Sequence, residues 1–250
     1  MANTNPFLTT PKWRSGARTD TGPVRAVNED AVLQTDGKSF WAVADGLGGH
    51  SIGDVASQLV VDGLRDVALK ASLDECVDAI EDKLIAINDE IQNYSETHIG
   101  GKKMGATVVC LHILGNVGVC LWAGDSRLYR FRDNTLRQMT RDHSHVEELI
   151  KRGMLDRKQA ATHPERNVIT RAVGADSDLF VEVTVFGVAK GDTFLLCSDG
   201  LYGVVEPMEL AKHLTLGNAD NCAKMLIEKA LASDANDNIS AVVIKEGARH

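Results

Sequence analysis

The sequence lacks the marks of several protein classes. No apolar run approaches the roughly 20 residues that span a bilayer, and the start of the chain, Met1 to Pro6, has no basic segment followed by an apolar one, as a signal peptide would. The net charge of −8 argues against a nucleic-acid surface. We therefore predict a cytoplasmic protein that binds neither membranes nor nucleic acids.

Cysteine is scarce, and its spacing excludes several kinds of site. The five cysteines are odd in number and include no C-x-x-C pair, so we expect buried, reduced thiols in a cytosolic protein. There is no Cys/His quartet with zinc spacing and no H-E-x-x-H motif. A cysteine-based phosphatase loop is also absent.

Two short stretches resemble motifs that they do not match. The run from Asp45 to His50 is neither a P-loop nor a G-x-G-x-x-G fingerprint. Its glycines either form a plain tight turn or let the backbone approach a metal closely. Asp142-His143-Ser144-His145 looks like a catalytic-triad fragment, but adjacent residues rarely form a triad and no G-x-S-x-G elbow is present. We predict a polar loop there.

Length and composition restrict the architecture. The 250 residues, 44% hydrophobic and 25% charged, suit a soluble globular protein, and no linker, repeat or low-complexity tract divides them. We predict one domain over residues 1–250. The apolar periodicity predicts blocks of strands separated by helix pairs, which favours a layered α+β fold over alternating βαβ units.

The same periodicity predicts the individual elements. Residues 15–45 are expected to form two strands with a turn at Asp36-Gly37 between them. The other expected elements are helices over 54–70, 73–91, 207–214 and 219–232, hairpins over 106–123 and 128–139, and strands at 180–186, 193–197 and 240–244. Residues 142–170 are polar with little periodicity, and an insert of that length is usually functional or mobile.

Four aspartates give the strongest chemical signal. Each ends an apolar run in a short Gly- or Asn-bearing turn; they are Asp45, Asp125, Asp199 and Asp237. A carboxylate at a strand end is fixed by the sheet yet exposed at its rim. Several of them together form a hard-oxygen cage suited to Mg²⁺ or Mn²⁺. The pattern predicts a metal-dependent hydrolase.

A second charged cluster lies nearer the start of the chain. Arg25 precedes the adjacent carboxylates Glu29 and Asp30. In a strand these two side chains point to opposite faces, so one can bind metal while the other holds a metal-bound water or packs locally. Arg25 can bind a phosphate bidentately. Taken alone, the cluster also fits a solvated charged turn.

Eight motifs follow one another between residues 25 and 240. They are Arg25-x-x-Asn-Glu29-Asp30, Ala44-Asp45-Gly-Leu-Gly-Gly-His50, Met104-Gly-Ala-Thr107, Ala123-Gly-Asp125-Ser-Arg127, Thr140-x-Asp142-His143-Ser144, His163-Pro164 through Arg171-Ala-Val-Gly174, Ser198-Asp199-Gly200-Leu201 and Asp237-Asn238-Ile-Ser240. In this order they resemble the metal-dependent protein phosphatases of the PPM (PP2C) class in their compact bacterial form. One such motif is weak evidence, whereas eight in the family's order are very specific.

The resemblance implies a fold and a metal centre. The fold would be a four-layer α-β-β-α sandwich, with a central antiparallel β-sandwich flanked by helix pairs. Two core Mn²⁺ or Mg²⁺ ions would be bridged by Asp45. Asp199 and Asp237 would complete the ligands of one ion, and Glu29 with the Gly46 carbonyl those of the other.

The resemblance also implies roles around that centre. A third, weaker ion would use Asp125 and Asp199. Asp30 would support a metal-bound water, Arg25 would hold the substrate phosphate, and residues 142–170 would form a flap beside the site. The reaction would be hydrolysis of phosphoserine and phosphothreonine in proteins by direct attack of a metal-bridging water.

One departure concerns the proton donor. Many eukaryotic relatives carry a histidine, read as the general acid, directly after the Asp-Gly, and here that position is Leu47. The candidates in this chain are His50, His143 or a metal-bound water.

The expected partners are phosphorylated Ser/Thr proteins and a cognate Ser/Thr kinase in a bacterium. We expect a monomer, because no exposed apolar stripe demands a partner. Two other functions remain open. A non-catalytic relative would usually lack some metal carboxylates, which are all present here, and a metal-dependent nuclease is disfavoured by the charge of −8.

The insert is basic in an otherwise acidic chain. Its cations, at or within residues 142–170, are Arg141, Lys151, Arg152, Arg157, Lys158 and Arg166. Positive charge beside an anionic cage predicts that the flap steers or grips phosphoprotein. A merely solvated loop is the alternative.

Overall fold

The computed structural model describes residues 13–48 and 52–247. His50, one candidate proton donor, therefore lies outside the described residues. The strands are β1 (Trp13–Asp20), β2 (Asp30–Thr35), β3 (Phe40–Leu47), β4 (Gly105–Ala106), β5 (Val108–Leu114), β6 (Val117–Ala123), β7 (Arg127–Arg132), β8 (Thr135–Gln138), β9 (Glu182–Gly187), β10 (Thr193–Cys197) and β11 (Ile239–Glu246). The helices are α1 (Gly53–Arg65), α2 (Leu73–His98), α3 (His145–Lys151), α4 (Arg157–Ala161), α5 (Asp199–Tyr202), α6 (Pro207–His213) and α7 (Ala219–Leu231).

Two antiparallel sheets form the centre of the molecule. One has the strand order β1-β11-β10-β7-β8, and the other has the order β2-β3-β5-β6-β9 with β4 beside β3. Helices α1 and α2 cover the outer face of the second sheet, while α6 and α7 cover the outer face of the first. This arrangement confirms the expected four-layer α-β-β-α sandwich.

Burial on both faces explains the apolar runs in the strands. In β3, Trp41 and Val43 point into the core between the sheets, whereas Ala42 and Ala44 point toward α1 and α2. A strand covered on both sides reads as a continuous apolar segment instead of an alternating one. The first polar residue at its end, Asp45, therefore marks the rim of the sandwich.

The longest helix shows how local signals and packing agree. Ser72 caps α2, and its side chain accepts a hydrogen bond from the Glu75 amide. Ile80, Leu84 and Ile91 form part of a fully buried stripe against the sheet. The helix continues past Ile91 to His98, so the periodicity located its buried face better than its end.

The prediction of two strands in residues 15–45 was wrong. Three strands are present there, because the chain turns after β1 and approaches the start of β11. Gly22 makes this turn with a φ of +74°, and a Cβ atom on it would lie 2.3 Å from the Asp237 carbonyl oxygen. Only glycine fits that approach, and sequence periodicity carries no signal for it.

Other boundaries also differ from expectation. Helix α1 ends at Arg65, short of the expected residue 70, and the insert at 142–170 contains the short helices α3 and α4. Helix α5 was not predicted at all. Among the described residues, no helix is both long enough and apolar enough to cross a membrane.

All five cysteines are buried, as expected from the sequence. Cys110 and Cys120 lie on opposite faces of one sheet, in the helix-facing core and the inter-sheet core respectively. Burial raises the pKa of the Cys110 thiol to about 12 and that of Cys120 well above its ordinary value. Neither Cys110 nor Cys120 therefore lies in a setting that would make it a nucleophile.

Candidate metal centre

Strand alternation brings two carboxylates to the space between the sheets. Asp30 and Asp45 are directly opposite each other in the β2–β3 pairing. Val43, two residues before Asp45, packs in the inter-sheet core, so Asp45 faces the other sheet at the rim. Directly paired residues have neighbouring side chains on one face, and Asp30 therefore lies beside it.

The opposite sheet meets this pair at the same rim. Ser198 directly follows β10, and its hydroxyl donates a 2.7 Å hydrogen bond to Asp30 Oδ2. The Ser240 amide in β11 donates to the same serine oxygen at 3.0 Å. Ser198 thus ties the two sheets together where their strands end, and it places Asp199 immediately beyond.

Three of the predicted ligands line one cleft of about 460 Å³, namely Asp125, Asp199 and Asp237. The start of α5, which carries Asp199, touches the turn that carries Asp237 at Gly200, where a Cβ atom would lie 2.0 Å from the Asn238 carbonyl oxygen. Asp125 is held by Tyr202, whose hydroxyl lies 3.1 Å from its carbonyl oxygen and 3.4 Å from Oδ2. Residues from three separate strand ends are therefore brought together.

The other predicted ligands form a second group at the rim. The Gly46 amide donates to the Glu29 carbonyl at 3.0 Å, and the Gly53 amide at the start of α1 donates to Glu29 Oε1 at 3.2 Å. A Cβ atom on Gly46 would lie 2.0 Å from the Gly53 carbonyl oxygen. Gly46 is thus a point of close approach between two backbone segments, and its approach to a metal stays a prediction.

The rim carboxylates are close enough to repel one another. Burial, followed by repulsion from Asp30 and Asp199, raises the pKa of Asp45 well above its ordinary value. Burial is also the largest cause for Asp30 and Asp125, whose pKa values rise to about 7, and for Asp199, whose pKa rises to about 6. A divalent cation among these groups would offset both the burial cost and the repulsion.

The carboxylates are not gathered round a single point. In the part of the chain that the structure describes, no three His, Cys, Asp or Glu side chains lie close enough to hold a metal ion together. Several have other partners: Asp237 Oδ2 lies 2.7 Å from Arg25 Nη2, for example, while Ser198 binds Asp30.

The donor set nevertheless fits a hard divalent ion. All the predicted ligands offer oxygen, which is the donor that Mg²⁺ and Mn²⁺ prefer. Asp30 is 7% exposed, and its Oδ1 is buried without a hydrogen-bond partner among the described residues. A buried oxygen of this kind is normally satisfied by a bound water or ion, and its position beside Asp45 suits a water at the centre.

His143 does not take part in this cleft. Its Nδ1 accepts a hydrogen bond from the Gly124 amide at 3.1 Å, and its Nε2 lies 3.0 Å from Glu182 Oε2. The ring also stacks on Trp122, with centroids 6.0 Å apart. Both nitrogens are therefore engaged, which disfavours His143 as the proton donor.

Sequence reasoning missed the residues that hold the ligands in place. Asn238 Oδ1 accepts from the Glu29 amide at 2.8 Å, while its Nδ2 donates to the carbonyls of Thr21 and Val27 at 2.8 and 3.0 Å. This one side chain fixes the loop that carries Arg25. Its place next to Asp237 in a recognised motif was the available signal.

A second clamp joins the rim to the insert. Arg127 binds Asp142 through two nitrogens, at 2.9 Å from Nε to Oδ1 and 2.6 Å from Nη2 to Oδ2. The same guanidinium lies 3.5 Å above the Tyr202 ring, and Tyr202 holds Asp125. The first residue of the insert is thus connected to a candidate ligand by one arginine and one tyrosine.

Known proteins resemble this chain over most of its length. The family model described as Protein phosphatase 2C matches residues 2–235. The serine/threonine phosphatase stp of Listeria welshimeri is 34% identical over 236 residues, which cover 91% of this chain and 94% of the Listeria protein.

Solved structures agree with that family match. PppA, described as a key regulatory component of T6SS in Pseudomonas aeruginosa, has a TM-score of 0.87 and 39% identity, covering 95% of this chain and 99% of PppA. The catalytic domain of the phosphatase PstP, in complex with 2 manganese ions, has a TM-score of 0.84 and 33% identity, covering 93% of this chain and 97% of that domain.

Proposed function

Because the chain belongs to the protein phosphatase 2C family, it is a metal-dependent serine/threonine protein phosphatase, and we propose that the rim of its sandwich is the active site. One observation carries this proposal. Carboxylates from both sheets meet at one edge, beside the exposed cation Arg25. The substrates are phosphoproteins, and the ions are Mn²⁺ or Mg²⁺.

We assign the ligands by position. Asp45 would bridge the two core ions, with Asp199 and Asp237 on one and Glu29 with the Gly46 carbonyl on the other. A third ion would use Asp125 and Asp199. When bound, such ions supply Lewis acidity that makes water nucleophilic near neutral pH and offsets charge on the phosphoryl oxygens.

The chain's own residues position the reactants. Arg25 lies at the rim within 2.7 Å of Asp237, so its guanidinium can bind a phosphate delivered to the same cleft. Asp30 Oδ1, buried and unpartnered among the described residues, accepts a hydrogen bond from the attacking water and orients it. The Ser198 hydroxyl is buried and committed to Asp30, which makes it unsuited to act as a nucleophile.

Water therefore attacks phosphorus directly, and the bond to the Ser or Thr oxygen breaks without a covalent enzyme intermediate. The leaving oxygen takes a proton from His50 or from water, since both nitrogens of His143 are engaged elsewhere. His50→Ala separates these two. If His50 is the donor, this variant loses rate on a phosphothreonine peptide but keeps it on p-nitrophenyl phosphate, whose leaving group needs no proton.

The test of the active site is a carboxylate variant with a matched control. We expect Asp199→Asn to lower kcat/KM with Mn²⁺ on the order of a thousandfold, on both p-nitrophenyl phosphate and a phosphothreonine peptide. Asp78→Asn, an exposed carboxylate on α2, should keep full activity. Full activity of the unmodified protein in EDTA would contradict the proposal.

The same assays separate the two alternative functions. A binding-only relative would hydrolyse neither substrate with any divalent ion. A nuclease would nick plasmid DNA with Mn²⁺ and leave the phosphopeptide intact. We expect hydrolysis of the phosphopeptide and no nicking.

We further propose that residues 1–250 form one phosphatase domain, with residues 142–170 as its flap. It would act as a monomer in a bacterial cytoplasm and oppose a Ser/Thr kinase. Light scattering on a sizing column tests the monomer. Comparing phosphoproteomes with and without the gene identifies the targets, and sites that do not gain phosphate in the gene's absence would argue against a role for this enzyme there.

A further inference from the structure

The helix α3 separates two clefts. On one side lies the cleft of about 460 Å³ that Asp125, Asp199 and Asp237 line, which we call the metal cleft. Val146 and Ile150 of this helix also line it. On the other side lies a second cleft of about 480 Å³, which receives Glu148 and Lys151. Glu147 borders both. We refer to the second one as the far cleft.

The far cleft is lined by four cations and four carboxylates, and two of the four cations already have partners. Its positive residues are Arg141, Lys151, Arg152 and Arg171. Arg141 binds Glu147 at 2.9 Å, and Arg152 lies 3.8 Å from Glu148. Among the residues that the structure describes, Lys151 and Arg171 form no ion pair. These two are the charges available to a ligand.

The surroundings of Arg171 leave its donors unused. Its Nη1 lies 3.4 Å from His143 Nε2. Because a backbone amide can only donate, His143 Nδ1 must accept from Gly124, and in the neutral ring the proton sits on Nε2. That proton is directed to Glu182, 3.0 Å away. Arg171 therefore has no acceptor in His143. The His143 ring beside Arg171 is itself held in place by Gly124 and Glu182.

We propose that the far cleft binds a second anionic side chain of the phosphoprotein substrate, through Arg171 and Lys151. The inference rests on the proposed phosphatase function, since it concerns the same substrate. The ligand is a phosphate monoester or a carboxylate. Arg171 suits both because its planar fork matches two oxygens, and Lys151 adds a movable charge.

The geometry also sets the spacing of the two anions. A helix with its side chains is about 10–12 Å across, which an extended peptide covers in about three residues. A substrate whose phosphorylated residue enters the metal cleft therefore brings a residue about three positions away to the far cleft. A neutral residue at that position makes no ionic contact with Arg171 or Lys151.

The experiment uses peptides that differ only at the second position. Each carries one phosphothreonine and, two to five residues away on either side, an alanine, a glutamate or a phosphoserine. The measured quantity is the ratio of kcat/KM for an anionic peptide to that for its alanine counterpart. We expect a ratio of about ten at the best spacing for the unmodified enzyme.

Variants then locate the effect. Arg171→Gln and Lys151→Gln should each bring the ratio toward one. Lys158→Gln changes another exposed flap cation, which lines neither cleft, and should keep the ratio. Should Arg171→Gln fail to fold in a melting experiment, Lys151→Gln decides alone. The glutamate and phosphoserine peptides distinguish the two kinds of anion.

A ratio near one at every spacing, or an unchanged ratio in both variants, would overturn the far-cleft proposal. If all the peptides were still hydrolysed, the proposed phosphatase function would stand. Failure to hydrolyse any of them with Mn²⁺ would instead reject the proposed function.

Discussion

The rim and the flap are built on opposite principles. The rim consists of strand ends from two sheets, and its connecting residues Asp30, Ser198 and Ser240 are buried. The flap contains two short helices whose buried apolar anchors include only Val146 and Ala160 among the described residues. A rigid frame preserves geometry to within fractions of an ångström, whereas a lightly anchored segment opens readily. The chemistry should therefore depend on the rim, and the recognition of protein substrates on the flap.

The largest effect should come from Asp45, the rim carboxylate of β3 that faces the other sheet. Asp45→Asn should lower kcat/KM on the order of a thousandfold with a small substrate and a phosphoprotein alike, because the centre loses the charge that holds its ions. Titration calorimetry with Mn²⁺ should show weakened binding in the same variant. If kcat/KM fell only with the phosphoprotein substrate, the proposed division of roles between rim and flap would be wrong.

A pair of glycine variants compares the rigidity of the two regions. A Cβ atom on Gly46 would meet the Gly53 carbonyl oxygen at 2.0 Å, while one on Gly153 in the flap would meet nothing within 4 Å. Gly46→Ala should lower the free energy of unfolding by about 3 kcal/mol. Gly153→Ala, at a φ of +70°, should cost only about 1 kcal/mol. Urea denaturation measures both, and equal losses would remove the contrast.

Neutralising flap cations should affect affinity for protein substrates alone. We expect Lys151, Arg152 and Lys158, all changed to Gln, to raise KM for phosphoprotein about fivefold while p-nitrophenyl phosphate is hydrolysed as before. A small substrate reaches the metals without crossing the flap. Single variants sharpen the test, because Lys151 and Arg152 line the far cleft and Lys158 does not. Equal losses on both substrates would mean that the flap supports the metal site.

The smallest effect concerns His143, at the start of the flap where it meets the rim. Burial lowers the pKa of His143 below its ordinary value of 6.5. At pH values just under 6.5 the unfolded chain therefore binds a proton that the folded protein does not, so stability falls as the pH drops through this window. His143→Gln should reduce that dependence in urea denaturation between pH 5.5 and 7.5. A slope identical to that of the unmodified protein would show that His143 does not titrate on unfolding.

Much of the rim was accessible from the sequence, and the reason is local. Asp-Gly and Asp-Asn turns beside apolar runs mark where strands meet the rim, so Asp45, Asp199 and Asp237 could be located without a structure. Asp237 differs from the expectation, because it precedes its strand β11 instead of ending one. The apolar periodicity favoured a layered α+β fold, whereas the four-layer order came from the family resemblance. Whether these side chains act as ligands stays a prediction.

What the sequence could not provide are contacts between distant segments. The Asn238 side chain reaches Val27, Arg127 reaches Asp142, and Gly22 admits the Asp237 carbonyl. Each depends on how the sheets stack, which periodicity does not encode. The division of the flap cations between two clefts is of the same kind, because it depends on which face of α3 each residue occupies.

The buried cysteines have a consequence for how this enzyme responds to oxidative stress. Oxidants attack exposed thiolates, and here burial keeps the thiols of Cys110 and Cys120 protonated and inaccessible. The proposed reaction uses no sulfur atom at all. Peroxide concentrations that inactivate phosphatases with a cysteine nucleophile should therefore leave this enzyme active. We expect a cell that relies on it to keep dephosphorylating its proteins under oxidative stress.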